Sequence, residues 1–531
     1  MTGRFVDVFI YKFGAADRLV VRLLLPFCLN VKTLTHLRRM GCSVLLATVL
    51  WGQPALWGQS TSQDVVVNAR AAGRPFPHFW EQIFGSGRAI LSLRDSYRRD
   101  LRAIKAATAI QYVRFHAIFH DEVGVYEEDA GATAMYNWSY VDQIYDGLLE
   151  NGVRPFVEMS FMPRKLAVSL EPHAFWYKPL PSPPKDYGKW EELVYNFARH
   201  LVDRYGIAEV GQWYFEVWNE PNIDFWSGQP KQATYFELYD HAARAIKRAG
   251  SQLRVGGPAT AQAAWVSAMI DHCVRSGVPI DFVSTHVYAN DSAEDVFGSH
   301  EKIPRSDMVA RAVRKVYDEV KRSLRPELPI HWTEYNASYK NEVDVTDSAF
   351  LGPWLANTIR QCDGLASTMS YWTFSDVFEE QGVVKKPFYG GYGLIAEGGV
   401  PKAAFEAFAM LHRLGNQRLQ ANIEDALVTK RADGTLAIAV WNYAPPGENG
   451  PSRQVRLAVE GWSRTPRYHV EIVDPQHGSA LAAWKAMGSP ASPTTQQYEQ
   501  LRRAADATEK LDRPSFSLPA HGLAVVEVAA R

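Results

Sequence analysis

From Phe79 onward the chain alternates short apolar runs with amphipathic stretches, and this alternation constrains the fold more than any other feature. The apolar runs are Trp80 to Phe84, Ala109 to Phe115, Arg154 to Ser160, Trp213 to Trp218, Leu253 to Gly257, Phe282 to Tyr288, Ile330 to Glu334 and Thr368 to Phe374. Between them, stretches such as Leu93 to Ala106, Tyr140 to Glu150, Trp190 to Tyr205, Tyr235 to Ala249, Met308 to Leu324 and Ser348 to Arg360 place apolar residues three and four apart, the period of a helix with one buried face. Eight strand–helix units in succession, the last helix ending near Leu414, predict an α/β fold, a (β/α)8 TIM barrel over residues 79–415. The span exceeds the roughly 250 residues of a typical barrel, so long loops are expected. The Pro-rich stretch Lys178 to Lys185 is one of them.

After Gly415 the pattern becomes strand-like, with Ala426 to Arg431, Thr435 to Trp441, Val455 to Val459 and Leu523 to Val528 separated by Pro- and Gly-rich turns. Residues 416–531 are therefore expected to form an accessory β-sandwich, interrupted by a polar helical insertion from Ser479 to Thr508. Residues 61–78 are expected to lend that sandwich a strand, Asp64 to Ala69. Residues 1–60 read as a leader: Arg38 and Arg39, then the apolar run Ser43 to Trp51, then small and polar residues, the layout of a secretory signal that would start at Met40. The run is too short to span a bilayer. A secreted or periplasmic location follows as an expectation.

The charge balance, 57 Lys plus Arg against 58 Asp plus Glu, offers no basic excess for nucleic acid or anionic lipid, whereas neutral substrates remain open. Four scattered cysteines, Cys28, Cys42, Cys273 and Cys362, make neither a disulfide framework nor a zinc site. Whether Cys273 and Cys362 pair is left open. His116 and His120, four apart, suggest a metal site only superficially, because no Glu follows the first His and the segment leaves a strand. No metal and no cofactor are implied.

Chemistry in a parallel barrel sits where strands end in loops at the C-terminal face. Two carboxylates stand there. Glu220 follows the fourth strand in Trp218-Asn219-Glu220-Pro221-Asn222, where Pro221 should keep it out of the helical region and extended. Glu334 ends the seventh in Trp332-Thr333-Glu334-Tyr335-Asn336. A single carboxylate at a strand end could cap a helix or pair with an arginine. Two on nearby strands fit a retaining glycosidase, in which carboxyl groups about 5 to 5.5 Å apart act as proton donor and nucleophile. Glu158 and Glu216, inside strands, are expected to be buried partners of basic groups such as Arg114.

The motifs Val113-Arg114-Phe115-His116, Phe161-Met162-Pro163, Phe215-Glu216-Val217-Trp218-Asn219-Glu220-Pro221-Asn222, Ser284-Thr285-His286-Val287-Tyr288 and the run from Ser370 to Glu380 fall in order along the expected strands. Together with Trp484 to Gly488 near the end, they resemble glycoside hydrolase family 39, β-xylosidases in particular, over about residues 75–531. The resemblance implies Glu220 as general acid/base, Glu334 as nucleophile and Asn219 as partner of the sugar 2-hydroxyl. It also implies that His116, His286 and Tyr288 serve the site, that Phe225 and Trp372 wall the sugar pocket, and that Glu379 and Glu380 accept hydrogen bonds from sugar hydroxyls. The expected activity is that of a retaining exo-β-D-xylosidase acting on short xylo-oligosaccharides, in the setting of xylan degradation. An α-L-iduronidase-like enzyme, an arabinosidase, an endo-glycanase and a non-catalytic carbohydrate-binding protein are the alternatives. A substrate carboxylate about 4 Å from either strand-eight glutamate would cost on the order of 4 kcal/mol at an effective dielectric near 20, which favours a neutral pentose. A homo-oligomer is left open.

Overall fold

The structure, a computed structural model, describes residues 61–462 and 465–530. The expected leader lies outside the described residues. Eight parallel strands close into a barrel: Ile83–Gly85, Tyr112–Phe115, Arg154–Met159, Tyr214–Val217, Arg254–Thr260, Phe282–Tyr288, Ile330–Asn336 and Thr368–Tyr371. They are called strands one to eight below. Each pairs with the next in chain order, and Tyr371 of the eighth meets Phe84 of the first.

The helices outside the barrel form for visible local reasons. In Tyr187–Tyr205, Trp190, Leu193, Val194, Phe197, Ala198 and Leu201 make one buried stripe, and the Asp186 side chain caps the start by accepting from the Gly188 and Lys189 amides. Met308–Arg322 buries Val309, Val313, Val316 and Val320 in the same way. Leu351–Cys362 is buried nearly all round. It lies between the barrel and a second layer, so both of its faces have a partner.

That second layer is a seven-stranded sheet of Arg74–Pro75, Gln417–Leu419, Ala426–Lys430, Leu436–Asn442, Gly522–Ala530, Pro466–Val473 and Glu509–Leu511. One face, with Leu427, Ala437, Ala439, Trp441, Leu523 and Val525, joins the barrel core. The other face packs Val428, Ile438, Val470 and Val526 against a three-stranded sheet of Thr61–Asn68, Arg453–Glu460 and Ser515–Leu518. Alternation of side chains along each strand gives the large sheet two apolar faces. Thr61–Asn68 runs parallel to Arg453–Glu460. The insertion forms two helices, Ala480–Ala486 and Thr495–Asp506, the second opened by a Thr494/Gln497 capping box. They cover Phe388, Ala396 and Val400 in the segment after strand eight. Cys273 and Cys362 are both buried free thiols.

Candidate active site

The barrel interior is built in layers two residues apart, as strand geometry requires. Ile83, Phe156 and Phe282 close the lower end, with Tyr112 and Tyr214 packed against them. Two residues further along the second, third and fourth strands stand Arg114, Glu158 and Glu216, all fully buried. Arg114 donates to Glu216 at 2.6 Å, to Glu158 at 2.8 Å and to Glu334 at 2.8 Å. Strict alternation would turn Glu334 outward if Thr333 points in. A bulge resolves this: the register between strands six and seven shifts after Thr285, so that His286 stands opposite Glu334.

Glu334 also accepts from the Tyr288 hydroxyl at 2.6 Å, so two strong donors solvate its carboxylate. Glu220 accepts no such cation. Its nearest partner is His286, whose Nδ1 lies 2.9 Å from Glu220 Oε1. Burial, then the negative Glu334 and Asp291, push Glu220 well above the ordinary carboxylate range. Glu220 is not extended, as Pro221 had suggested, but sits at φ 45°. Proline bars the preceding residue from the right-handed helical region, and here the left-handed alternative is held by the Glu220 amide donating to the Ala259 carbonyl at 2.8 Å. Such a conformation stores roughly 1 to 3 kcal/mol, which the surrounding packing must offset. Ligand atoms of Glu220, His286 and Glu334 all lie within 4.8 Å of one another. These three could chelate an ion, but the Arg114 cation already lies against Glu334.

Both glutamates open into a pocket of about 380 Å³, with His116, Phe225, Tyr288, Trp372 and Glu380 in its wall. Trp372 is held flat against the end of strand one, where Gly85 leaves room: a Cβ there would stand 2.2 Å from the indole. His116 Nδ1 donates to Glu158 at 2.6 Å, and its Nε2 lies 3.7 Å from both Glu334 and Glu380. Asn219 and His286 sit one layer behind the wall, Asn219 accepting from Arg114 at 2.9 Å and His286 wholly buried. His120 takes no part; its ring stacks edge-on against Tyr177. Two larger clefts, about 550 and 430 Å³, lie away from this face and contain no glutamate pair.

Glu379 is a correction. It points away from the pocket into an ion pair with Arg94 at 2.5 Å and a longer one with Arg88 at 3.4 Å. Adjacent residues leaving a strand face different ways, and the two arginines claimed this one. Arg88 also pairs with Glu122 at 2.7 Å and lies over the Tyr177 ring at 4.8 Å. It thereby ties the loops after strands one, two, three and eight together around one end of the pocket. Glu379→Ala should lower the melting temperature only slightly, by about one to three degrees, because half-exposed Arg94 regains water and Arg88 keeps Glu122 as a partner. Thermal denaturation beside steady-state kinetics checks this, with KM expected to rise more than kcat falls.

Sequence reasoning missed Asp291, Tyr339 and Tyr392, which also line the pocket. Asp291, three residues beyond Tyr288, accepts from the Tyr288 amide at 2.8 Å and is pushed up to about 7 by burial. Its place just after strand six was the available signal. Tyr392 lies in Gly390-Gly391-Tyr392-Gly393, held by a buried triad: Lys402 bridges Asp347 at 2.6 Å and Asp376 at 2.7 Å, and these accept from the Gly390 and Gly393 amides. Nothing in the sequence announces that assembly.

A closed (β/α)8 barrel with two buried glutamates facing one pocket is an arrangement that glycosidases use. Residues 63–522 match the family described as Glycosyl hydrolases family 39, and the chain belongs to that family. It is 38% identical to a β-xylosidase of Geobacillus stearothermophilus, across 83% of this chain and 89% of that one. A solved monomeric β-xylosidase from Caulobacter crescentus CB15 superposes with a TM-score of 0.79 at 32% identity, covering 88% of this chain and all of the other. The α-L-iduronidase of Homo sapiens is more distant, 24% identical across 93% of this chain and 80% of its own.

Proposed function

We propose that the chain is a retaining, exo-acting β-D-xylosidase that releases xylose from the non-reducing ends of xylo-oligosaccharides. The observation that carries this proposal is the approach of Glu220 and Glu334, whose oxygens come within 4.8 Å. So close an approach fits the roughly 5 to 5.5 Å of a retaining pair better than the separation of about 6.5 to 9.5 Å at which an inverting enzyme holds a water between its carboxyl groups. Glu334 attacks the anomeric carbon as Glu220 passes its proton to the departing glycosidic oxygen. Glu334 loses its charge in the glycosyl ester, which removes the largest neighbouring charge from Glu220. Glu220 then takes a proton from the water that attacks the ester, and free sugar leaves.

Pocket composition supports a neutral glycone. Four carboxyl groups, those of Glu220, Asp291, Glu334 and Glu380, lie in the wall, and no Lys or Arg does among the described residues. A uronate would meet carboxyl groups and no cation. With one wall carboxylate ionised, about 4 kcal/mol of repulsion at 4 Å and an effective dielectric near 20 corresponds to roughly a thousandfold. An aryl β-D-xyloside should therefore exceed an aryl α-L-iduronide in kcat/KM by about that factor; equal or reversed rates would overturn the xylosidase assignment. The kinship with β-xylosidases at 38% identity points the same way.

Glu380 is the remaining candidate for gripping hydroxyls distant from the scissile bond. Burial, then Glu334 and Glu158, push its carboxyl well upward, so it can donate as well as accept. Glu380→Ala should cost about tenfold or more in kcat/KM on an aryl xyloside, the value of a hydrogen bond near 1.5 kcal/mol. A change below twofold would remove Glu380 from the sugar contacts. We place the enzyme outside the cytoplasm, in the periplasm or medium, on the leader pattern from Arg38 to Trp51.

A further inference from the structure

Beneath the wall, a chain of hydrogen bonds runs from the acid/base to Arg114. Glu220 Oε1 meets His286 Nδ1 at 2.9 Å, His286 Nε2 meets Thr333 Oγ1 at 3.0 Å, and Thr333 Oγ1 donates to Glu216 Oε1 at 2.8 Å. Arg114 Nε donates to the other oxygen of Glu216 at 2.6 Å. A threonine hydroxyl has one proton and otherwise only lone pairs to offer. With that proton committed to Glu216, Thr333 can only accept from His286. The Nε2 atom must then carry the ring proton.

We propose that Thr333 fixes the tautomer of His286, so that a bare Nδ1 faces Glu220 and holds it as the undissociated acid until the leaving group takes its proton. His286 is wholly buried, and burial together with Arg114 and His116 drives its pKa well below the ordinary histidine value, so the ring has no second proton to give. The reverse arrangement would put the proton on Glu216 and the charge on Glu220. Burial also pushes Glu216 upward. Arg114, however, lies directly against Glu216 and makes no hydrogen bond to Glu220, so the negative charge is better placed on Glu216. The groups that face Glu220 are His286, Glu334, Asp291, Glu380 and the more remote Arg114. All but the arginine favour the neutral acid.

The lock serves both halves of the reaction, and in this respect it rests on the retaining mechanism proposed above. In the first half the Glu220 O–H proton passes to the glycosidic oxygen as the C1–O bond breaks and Glu334 bonds to C1. The Glu220 carboxylate left behind finds a lone pair, not a donor, on His286. It is consequently a stronger base toward the incoming water, whose proton restores the O–H. Thr333 and His286 are positioning residues, acting on sugar only through Glu220.

Neutron diffraction from the perdeuterated resting enzyme reads the claim directly, whatever the substrate proves to be. Deuterium is expected on His286 Nε2 and on the Glu220 carboxyl; deuterium on Nδ1 would overturn the proposal. The pH profile of kcat/KM on xylobiose supplies the functional arm. Activity needs the acid form of Glu220, so the basic limb of kcat/KM falls tenfold per pH unit above its pKa. Thr333→Val removes the acceptor for Nε2, lets the ring proton move to Nδ1 and stabilises the Glu220 carboxylate. Its basic limb should shift to lower pH by about one unit, a tenfold change in the ionisation constant, and Thr333→Ser should restore it. An unmoved limb in a folded Thr333→Val enzyme would refute the lock and leave the xylosidase assignment intact.

Discussion

Glu334→Ala is expected to be inactive on every xyloside, including those with an excellent leaving group. In the proposed mechanism the substitution removes the atom that bonds to the anomeric carbon, and loss of a nucleophile costs on the order of 10⁵ or more in rate. The variant should remain folded, since Arg114 keeps Glu158 and Glu216 as partners at 2.8 and 2.6 Å. Azide, small enough to occupy the vacated space, should restore turnover of an activated aryl xyloside and give the α-glycosyl azide. Product NMR identifies that anomer. Recovery of the β-azide from this variant would reverse the roles of the two glutamates.

Glu220→Ala should fail differently. An activated aryl leaving group departs without protonation, so glycosylation survives, whereas water attacks the ester without a base and deglycosylation becomes limiting. A burst of aryl alcohol followed by slow turnover is the expected trace. Azide needs no deprotonation and should relieve the slow step with retention, giving the β-glycosyl azide. Xylobiose, whose leaving group must be protonated, should lose roughly 10² to 10⁴ in rate, the range for general acid–base catalysis. Equal losses on activated and unactivated substrates would contradict the assignment of Glu220 as the acid.

The barrel was legible because its strands and helices differ in period, and each of the eight apolar runs contains or overlaps an observed strand. Where boundaries moved, side chains had other partners. Trp80 was read as strand but lies in a turn, its ring buried against His78 and Phe76, so its apolarity reflects packing at the barrel's lower end. Strand eight was read to Phe374 but stops at Tyr371, because Thr373 and Phe374 donate instead to the Tyr392 and Gly85 carbonyls. Short two-faced strands such as Ser515–Leu518 and Pro466–Val473 escaped notice because neither is a continuous apolar run.

The two glutamates were legible from their places at strand ends, together with the motifs around them. Their environment was not. Whether Glu379 or Glu380 turns to the sugar depends on which one two arginines reach, and those arginines lie 285 and 291 residues away in sequence. Thr333 stands beside Glu334 in the chain, but only the bulge between strands six and seven lets both face inward. Asp291 and the Lys402 triad act through contacts across loops, for which a single sequence carries no periodic signal.

The central claim, double displacement through a glycosyl ester on Glu334, is tested most directly by the anomer released first. Proton NMR during rapid hydrolysis of an aryl β-D-xyloside, before mutarotation sets in, should show β-xylose. Initial appearance of α-xylose would mean a single inverting displacement and would contradict the account.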